Sequence, residues 1–333
     1  MTLKAQLFCS FVFFVLTVAC VRAESTENNG YVSSYQELLL SPAAVRAVRP
    51  PCSGDDCENA IALVFIHGIW SSGETFKNGQ FYWPSEIPQE VGGRRIDVYQ
   101  IEYRTKLFAW LRKDISTLDE VVYSVFSGMQ EEVLRKKYYA IGFVAHSLGG
   151  NVITSYLHTI KTELGHEARS QHAFIITLGT PTDGSDYETL GRWIKTLFLE
   201  EVQERDRLLE SLQRDNTFLR MLAHWRYSEE SKGKRFKCRP VNMYVGLEGA
   251  PMYTMRIVSA SSALYFSGTD VEVKKFDGLD HSQLSKPPGK GDHAVYDWVD
   301  GILNTEVARL ATWDSEHPRY GGRLCEDQLG RIQ

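Results

Sequence analysis

Short apolar runs alternate with helix-length segments along most of the chain. The runs lie at residues 61–68, 94–104, 138–147, 172–181, 240–249 and 270–281. The segments long enough for helices lie at about 115–137, 148–163, 186–225 and 293–310. This alternation is typical of βαβ units, in which helices cover both faces of a mainly parallel sheet. The pattern therefore predicts an α/β fold.

The interval 185–236 differs from this rhythm and indicates a helical insertion. Its apolar residues recur at helical spacing, first at Leu190, Trp193, Ile194, Leu197, Phe198 and Val202, then at Leu208, Leu212, Leu219, Leu222 and Trp225. One apolar face on a helix is compatible with two interpretations. The helices pack on the sheet, or they form a lid whose apolar face lines an acyl pocket. In the second case Trp193, Leu197 and Phe198 are the candidate substrate-binding residues.

The N-terminal residues 1–23 have the pattern of a secretory signal peptide. Lys4 precedes an apolar core at 7–18, and the small-residue pattern Val21-Arg22-Ala23 closes the segment. The apolar core is short for a membrane-spanning helix, which needs about 20 residues. We therefore expect a secreted, periplasmic or secretory-lumen protein, with an uncleaved membrane anchor as the alternative. Residues 24–59 are then a linker with a cysteine loop, and 60–333 form the main domain.

Cysteine usage agrees with an oxidising compartment. Cleavage after Ala23 leaves four cysteines, which are Cys52, Cys57, Cys238 and Cys325. An even number fits disulfide bonds, and four cysteines allow three pairings. The simplest pairing joins Cys52 to Cys57 across a short loop and Cys238 to Cys325.

Composition excludes several other classes of protein. The 333 residues are 43% hydrophobic and 24% charged, with a formal net charge of −5, as expected of a globular chain. No basic stripe is visible, so we expect no nucleic-acid partner. The glycine-rich turns that hold nucleotide phosphates are absent as well.

The stretch YYAIGFVAHSLGG (138–150) places one serine between an apolar strand and a helix. Open α/β sheets bind ligands at this kind of strand end. The residues two before and two after Ser147 are small, Ala145 and Gly149, as a crowded nucleophile turn requires. The alternative is a plain connection in which Ser147 caps the helix. If Ser147 is a nucleophile, the backbone N–H of Leu148 can stabilise an oxyanion.

The stretch FIHGIW (65–70) ends an earlier strand at the point where a second oxyanion donor is needed. Gly68 permits close backbone approach, and the N–H of Ile69 or Trp70 is the candidate donor. His67 itself is expected to be a structural histidine that hydrogen-bonds this loop.

A nucleophilic serine needs a base, and the base needs a carboxylate that orients it. His281 follows the last strand-like run, and Glu248 ends the penultimate one. Ser147, Glu248 and His281 thus follow each other at the ends of three different strands. His293 is the fallback base and Asp183 the fallback acid.

Several ordered motifs resemble the α/β-hydrolases of the serine lipase and esterase branch. The matching pieces span about residues 60–290 and are FIHGIWSSGETF, YWP, AHSLGG, LGTPTDGS, LEGAPMYTMRIVSASSA and DHSQLSKP. They are most similar to the group that includes the GPI inositol deacylases and the serine-active-site mitochondrial lipid-remodelling proteins. The resemblance implies an α/β-hydrolase fold and a triad at Ser147, Glu248 and His281. Ala145 departs from the group's usual glycine.

The resemblance and the residues together predict an ester hydrolase that needs no metal or organic cofactor. We expect an acyl ester or lipid substrate and transient contact with a membrane surface. The alternatives are an acyl thioesterase, which would use the same residues, and a non-catalytic protein that binds a lipid or a partner on a hydrolase fold.

Overall fold

A computed structural model describes most of the predicted domain. The described residues are 43–68, 73–103, 118–182, 239–250, 258, 260–264, 271–291 and 294–317.

A mainly parallel sheet organises these residues. The strands are β1 (Ala44–Ala47), β2 (Ile61–Ile66), β3 (Lys77–Asn78), β4 (Phe81–Tyr82), β5 (Glu90–Val91), β6 (Arg94–Glu102), β7 (Ala140–His146), β8 (His172–Leu178), β9 (Asn242–Glu248) and β10 (Glu272–Phe276). The sheet order is β1-β6-β2-β7-β8-β9-β10, and β5 also pairs with β6. From β6 to β10 every neighbouring pair in this order is parallel, so these strands end at the same edge.

Helices cover both faces of this sheet. They are α1 (Leu118–Glu132), α2 (Leu148–Ser170), α3 (Ala260–Leu264) and α4 (Ala294–Glu316). Strand β2 is buried along its whole length, because Ala62, Val64 and Ile66 pack in the cluster that contains α1 and α2. Ile61, Leu63 and Phe65 pack in the opposite cluster, which contains α4. Burial on both sides explains why the strand is a continuous apolar run.

The predicted α/β fold is therefore confirmed. All six predicted strands and three of the four predicted helices are present, and each begins within three residues of the expected position. The remaining predicted helix, at 186–225, and the whole of the insertion at 185–236 lie outside the described residues. No helix among the described residues has the length and apolar composition needed to cross a membrane.

Strand β1 was not predicted. It lies in the segment 24–59 that the sequence suggested to be a linker, and it pairs antiparallel with β6 at the sheet edge. The N–H of Ala43 also donates to the carbonyl of Ser124 in α1, at 2.9 Å. Four residues that contain an exposed arginine, Ala-Val-Arg-Ala, are too few to show a strand period.

A buried carboxylate joins the cysteine loop to the sheet. Cys52 and Cys57 form a disulfide with a Cα–Cα distance of 5.3 Å. One oxygen of Asp97, on β6, accepts the N–H of Cys52 at 2.6 Å and the hydroxyl of Tyr138 at 2.8 Å. The other oxygen accepts the Nε–H of Arg95 at 2.6 Å. Asp97 is only 4% exposed, so these partners replace the water that it loses on burial.

We expect Asp97→Ala to lower the free energy of unfolding by about 3 kcal/mol, because it leaves the buried N–H of Cys52 without its acceptor and removes one partner of the buried Tyr138 hydroxyl. The measurement is urea denaturation of the variant and the unsubstituted protein. Glu102→Ala on the same strand is the control, since its ion pair with Arg46 at 3.5 Å is largely exposed. Its loss should be under about 1 kcal/mol. Equal losses in the two variants would contradict the role given to Asp97.

Candidate active site

The carboxyl ends of the parallel strands bring the three residues of the predicted triad to one edge of the sheet. Gly68 follows β2, Ser147 follows β7 and Gly179 follows β8. Glu248 is the last residue of β9, and His281 lies five residues beyond β10. The register pairs Ile66 with Ala145 and Phe276 with Glu248 show that neighbouring strands end at nearly the same position along the sheet.

Ser147 forms a one-residue connection between β7 and α2. Its backbone has φ 55° and ψ −128°, and Lys137 is the only other non-glycine residue with positive φ among those described. A non-glycine residue in this conformation is strained and persists only where surrounding contacts hold it. The Ser147 side chain makes no capping hydrogen bond to the helix. The turn therefore differs from the capped connection considered above.

Close backbone contacts around Ser147 require glycine at two positions. A methyl group at Gly149 would lie 2.6 Å from the carbonyl oxygen of His67 and 2.8 Å from that of Ile66. A methyl group at Gly68 would lie 2.6 Å from Cβ and 3.1 Å from Oγ of Ser147. The loop after β2 thus lies directly against the serine.

Glu248 and His281 face each other in the protein interior. Nδ1 of His281 lies 3.5 Å from Oε2 of Glu248, and the two residues are 4% and 3% exposed. Within the described part of the chain neither atom has a hydrogen-bond partner. The other oxygen, Oε1, accepts the N–H of Val258 at 2.5 Å. The carboxylate is therefore held from one side and directed at the imidazole from the other.

The loop that carries His281 is fixed to its neighbours. The N–H groups of Gly249 and Ala250 both donate to the carbonyl of Leu279, at 3.0 Å. Gly179 has φ 58°, and a methyl group there would lie 3.0 Å from Nδ1 of His281. Since the N–H of Ser147 donates to the carbonyl of Leu178 at 2.9 Å, the corner after β8 lies between the serine and the histidine.

His67 has the structural position that the sequence suggested. Its Nδ1–H donates to the carbonyl of Gly68 at 2.7 Å, and its ring stacks on Tyr103 with 4.4 Å between centroids. The Tyr103 hydroxyl donates to the carbonyl of His67 at 2.8 Å. Burial lowers the pKa of His67 to about 4, so the ring is neutral near pH 7.

His146 has a partner that sequence reasoning missed. Its Nε2–H donates to the backbone carbonyl of His281 at 2.9 Å, and the two rings lie 4.9 Å apart. Burial, with a smaller contribution from His281, lowers the pKa of His146 to about 3. The ring is therefore neutral at neutral pH. Its position beside Ser147 was visible in the sequence, but its partner 135 residues away was not.

The remaining predicted site residues are placed as follows. Leu148 is the first residue of α2 and is fully buried, and its N–H is among the first four of the helix, which have no intrahelical partner. The other predicted oxyanion and substrate-binding residues lie outside the described residues: Ile69, Trp70, Trp193, Leu197 and Phe198. The fallback residues Asp183 and His293 lie outside them too. The described residues contain no cluster of His, Cys, Asp and Glu that could hold a metal ion.

Comparison with protein families gives one match. The family model described as "Putative serine esterase (DUF676)" matches residues 58–223, the part of the chain that contains His67, Gly68 and Ser147. No curated protein sequence matches significantly.

Several solved structures that are similar to this chain are hydrolases. The phospholipase PlaB from Legionella pneumophila is 16% identical with a TM-score of 0.52, and the match covers 77% of this chain and 64% of PlaB. A monoacylglycerol lipase from Paleococcus ferrophilus is 12% identical with a TM-score of 0.45, covering 79% of this chain and 99% of the lipase. At 16% identity the likeness to PlaB is one of fold.

Proposed function

Because the chain is an α/β-hydrolase of the serine lipase and esterase branch, we propose that it hydrolyses carboxylic esters through Ser147, Glu248 and His281. The observation that carries this proposal is that Nδ1 of His281 and Oε2 of Glu248 are buried and face each other. They lie at the sheet edge where Ser147 forms its strained turn. A merely structural carboxylate and imidazole would be expected to find ordinary hydrogen-bond partners when buried. The 3.5 Å separation is long for a hydrogen bond, but such catalytic contacts often tighten only when substrate is bound.

The orientation of His281 determines its part in the proposed reaction. Nδ1 faces the carboxylate, so this nitrogen carries the proton and Nε2 keeps the lone pair. Nε2 then takes the proton of the Ser147 hydroxyl as the oxygen attacks the ester carbonyl. The same proton passes to the leaving alcohol, and an acyl group remains on the serine. Water releases the acid by the same steps in reverse, and Glu248 stabilises the imidazolium each time it forms.

The negative charge that develops on the carbonyl oxygen needs backbone donors. Leu148 offers its N–H at the start of α2, where the helix dipole also favours an anion. The N–H of Ile69 or Trp70 is the proposed second donor, because Gly68 brings this loop against Ser147. One such donor contributes about 3 kcal/mol of transition-state stabilisation in enzymes where it was removed.

We place the substrate among esters with an apolar acyl chain. Support comes from the apolar stripe that contains Trp193, Leu197 and Phe198, in the segment proposed to form a lid. PlaB, which shares the fold, is a phospholipase. Such a substrate would be met at a membrane surface, and a thioester would use the same residues.

The first test is covalent labelling of Ser147. We expect a fluorophosphonate probe to label the native protein at this serine, and Ser147→Ala to abolish both the label and the hydrolysis of nitrophenyl esters. Graded acyl lengths and a matched thioester in the same assay define the preferred acyl group. Ser282→Ala is the control, since this serine lies beside His281 but in the following turn. A folded protein that is neither labelled nor active at any pH tested would exclude the enzyme and favour a binding protein.

The second test addresses Glu248. Glu248→Gln keeps an oxygen for the N–H of Val258 but removes the charge that stabilises the imidazolium, so the fold should persist while kcat falls by about 100-fold or more. The measurement is steady-state hydrolysis together with thermal unfolding. Glu272→Gln, at the opposite end of the sheet, is the matched control and should leave kcat unchanged. If Glu248→Gln turns over as fast as the unsubstituted protein, the acid must be another residue, such as Asp183.

We also propose that the protein enters the secretory pathway and is cleaved after Ala23. The signal-like residues 1–23 and the Cys52–Cys57 disulfide support this location. N-terminal sequencing of the protein recovered from the culture medium or the secretory lumen should begin at Glu24. An intact N-terminus on membrane-bound protein would instead indicate a signal anchor.

A further inference from the structure

The loop that presents His281 runs from β10 to the short helical turn Gln283–Ser285. Its first part is held by hydrogen bonds from the backbone N–H groups of Gly249 and Ala250 to the carbonyl of Leu279. Its last part is held by the indole N–H of Trp83, which donates to the carbonyl of Ser285 at 2.9 Å. Between these anchors, the carbonyl of His281 itself accepts the Nε2–H of His146.

The hydrogen bond from His146 to the carbonyl of His281 links the proposed base to the residue that precedes the proposed nucleophile, Ser147. His146 is the final residue of β7 and lies in register with Leu178 of β8. Its ring is buried, and the next residue is Ser147. Any shift of the His281 main chain relative to the serine therefore has to break or stretch the bond to His146.

We propose that His146 is a positioning residue that sets the place of the His281 imidazole relative to Ser147 and Glu248. This inference rests on the proposed function. In this role His146 holds the main chain of His281 and takes no part in the proton transfer, since its Nε2–H is engaged by the carbonyl. Its contribution is to keep the imidazole within reach of both partners, and a displacement of about 1 Å in such a group can cost about 100-fold in rate.

The test compares two substitutions of His146. Glutamine carries an amide nitrogen as many bonds from Cβ as Nε2 and can still donate to the carbonyl, whereas methionine has a similar length and no donor. We expect His146→Met to lower kcat by about 10- to 100-fold with little change in KM. His146→Gln should restore most of kcat.

His172→Met is the matched control. His172 is also buried, burial lowers its pKa to about 3, and it is hydrogen-bonded to Tyr156, at 3.1 Å. It begins β8, at the end of the sheet away from the site. Its methionine variant should lose as much thermal stability as His146→Met but keep kcat. Should His146→Met not fold, His146→Asn takes its place, because its amide is one bond too short to reach the carbonyl.

A second readout needs no turnover. The Nδ1–H proton of an imidazole gives a low-field proton NMR resonance once its contact with a carboxylate tightens to a hydrogen bond. With a non-hydrolysable ester analogue bound, this resonance is expected in the unsubstituted protein and in His146→Gln. It should disappear or move upfield in His146→Met. Three identical spectra, or equal kcat losses in the Met and Gln variants, would overturn the inference. If Ser147 proves unreactive, the proposed function fails, and the resonance alone still decides whether His146 places His281.

Discussion

A single residue joins β7 to α2, and this connection constrains every element at the carboxyl edge of the sheet. Because a one-residue connection holds the helix close to the end of the strand, the first turn of α2 contacts the end of β2. There Gly149 lies against the carbonyls of Ile66 and His67. On the other side, the N–H of Ser147 is bonded to the end of β8. The left-handed backbone of a serine costs on the order of 1–3 kcal/mol, and contacts from both neighbouring strands keep it in place.

The sheet and the order of the site residues were predictable, because both depend on local sequence. Strands buried on both faces are continuous apolar runs, and glycine marks the close contact at Gly149. Strand β1 was too short to show a period, so its place at the sheet edge could not be predicted. The bond from His146 to His281 and the bond from Val258 to Glu248 depend on chain segments meeting in space. Neither partner carries a local signal of the other.

The electrostatics at the carboxyl edge of the sheet are simpler than the number of histidines there suggests. Three imidazoles lie at this edge, but two of them, His67 and His146, are kept neutral by burial and bonded to main-chain carbonyls. The carboxylate of Glu248 therefore faces one imidazole only. A positive charge on His281 meets a negative partner and no competing cation from these neighbours, which suits a group that is charged only transiently.

Buried neutral histidines also bear on where such a protein can remain folded. The pKa values of His67, His146 and His172 are lowered to about 4, 3 and 3, whereas an unfolded histidine titrates near 6.5. Below that value the unfolded chain binds protons that the folded protein excludes, so stability is complete above about pH 6.5 and declines as the pH falls. At about pH 5 the three rings together would cost on the order of 5 kcal/mol. That is a large share of the stability of an ordinary domain, so the burial of these three rings works against the fold as the surroundings become acidic.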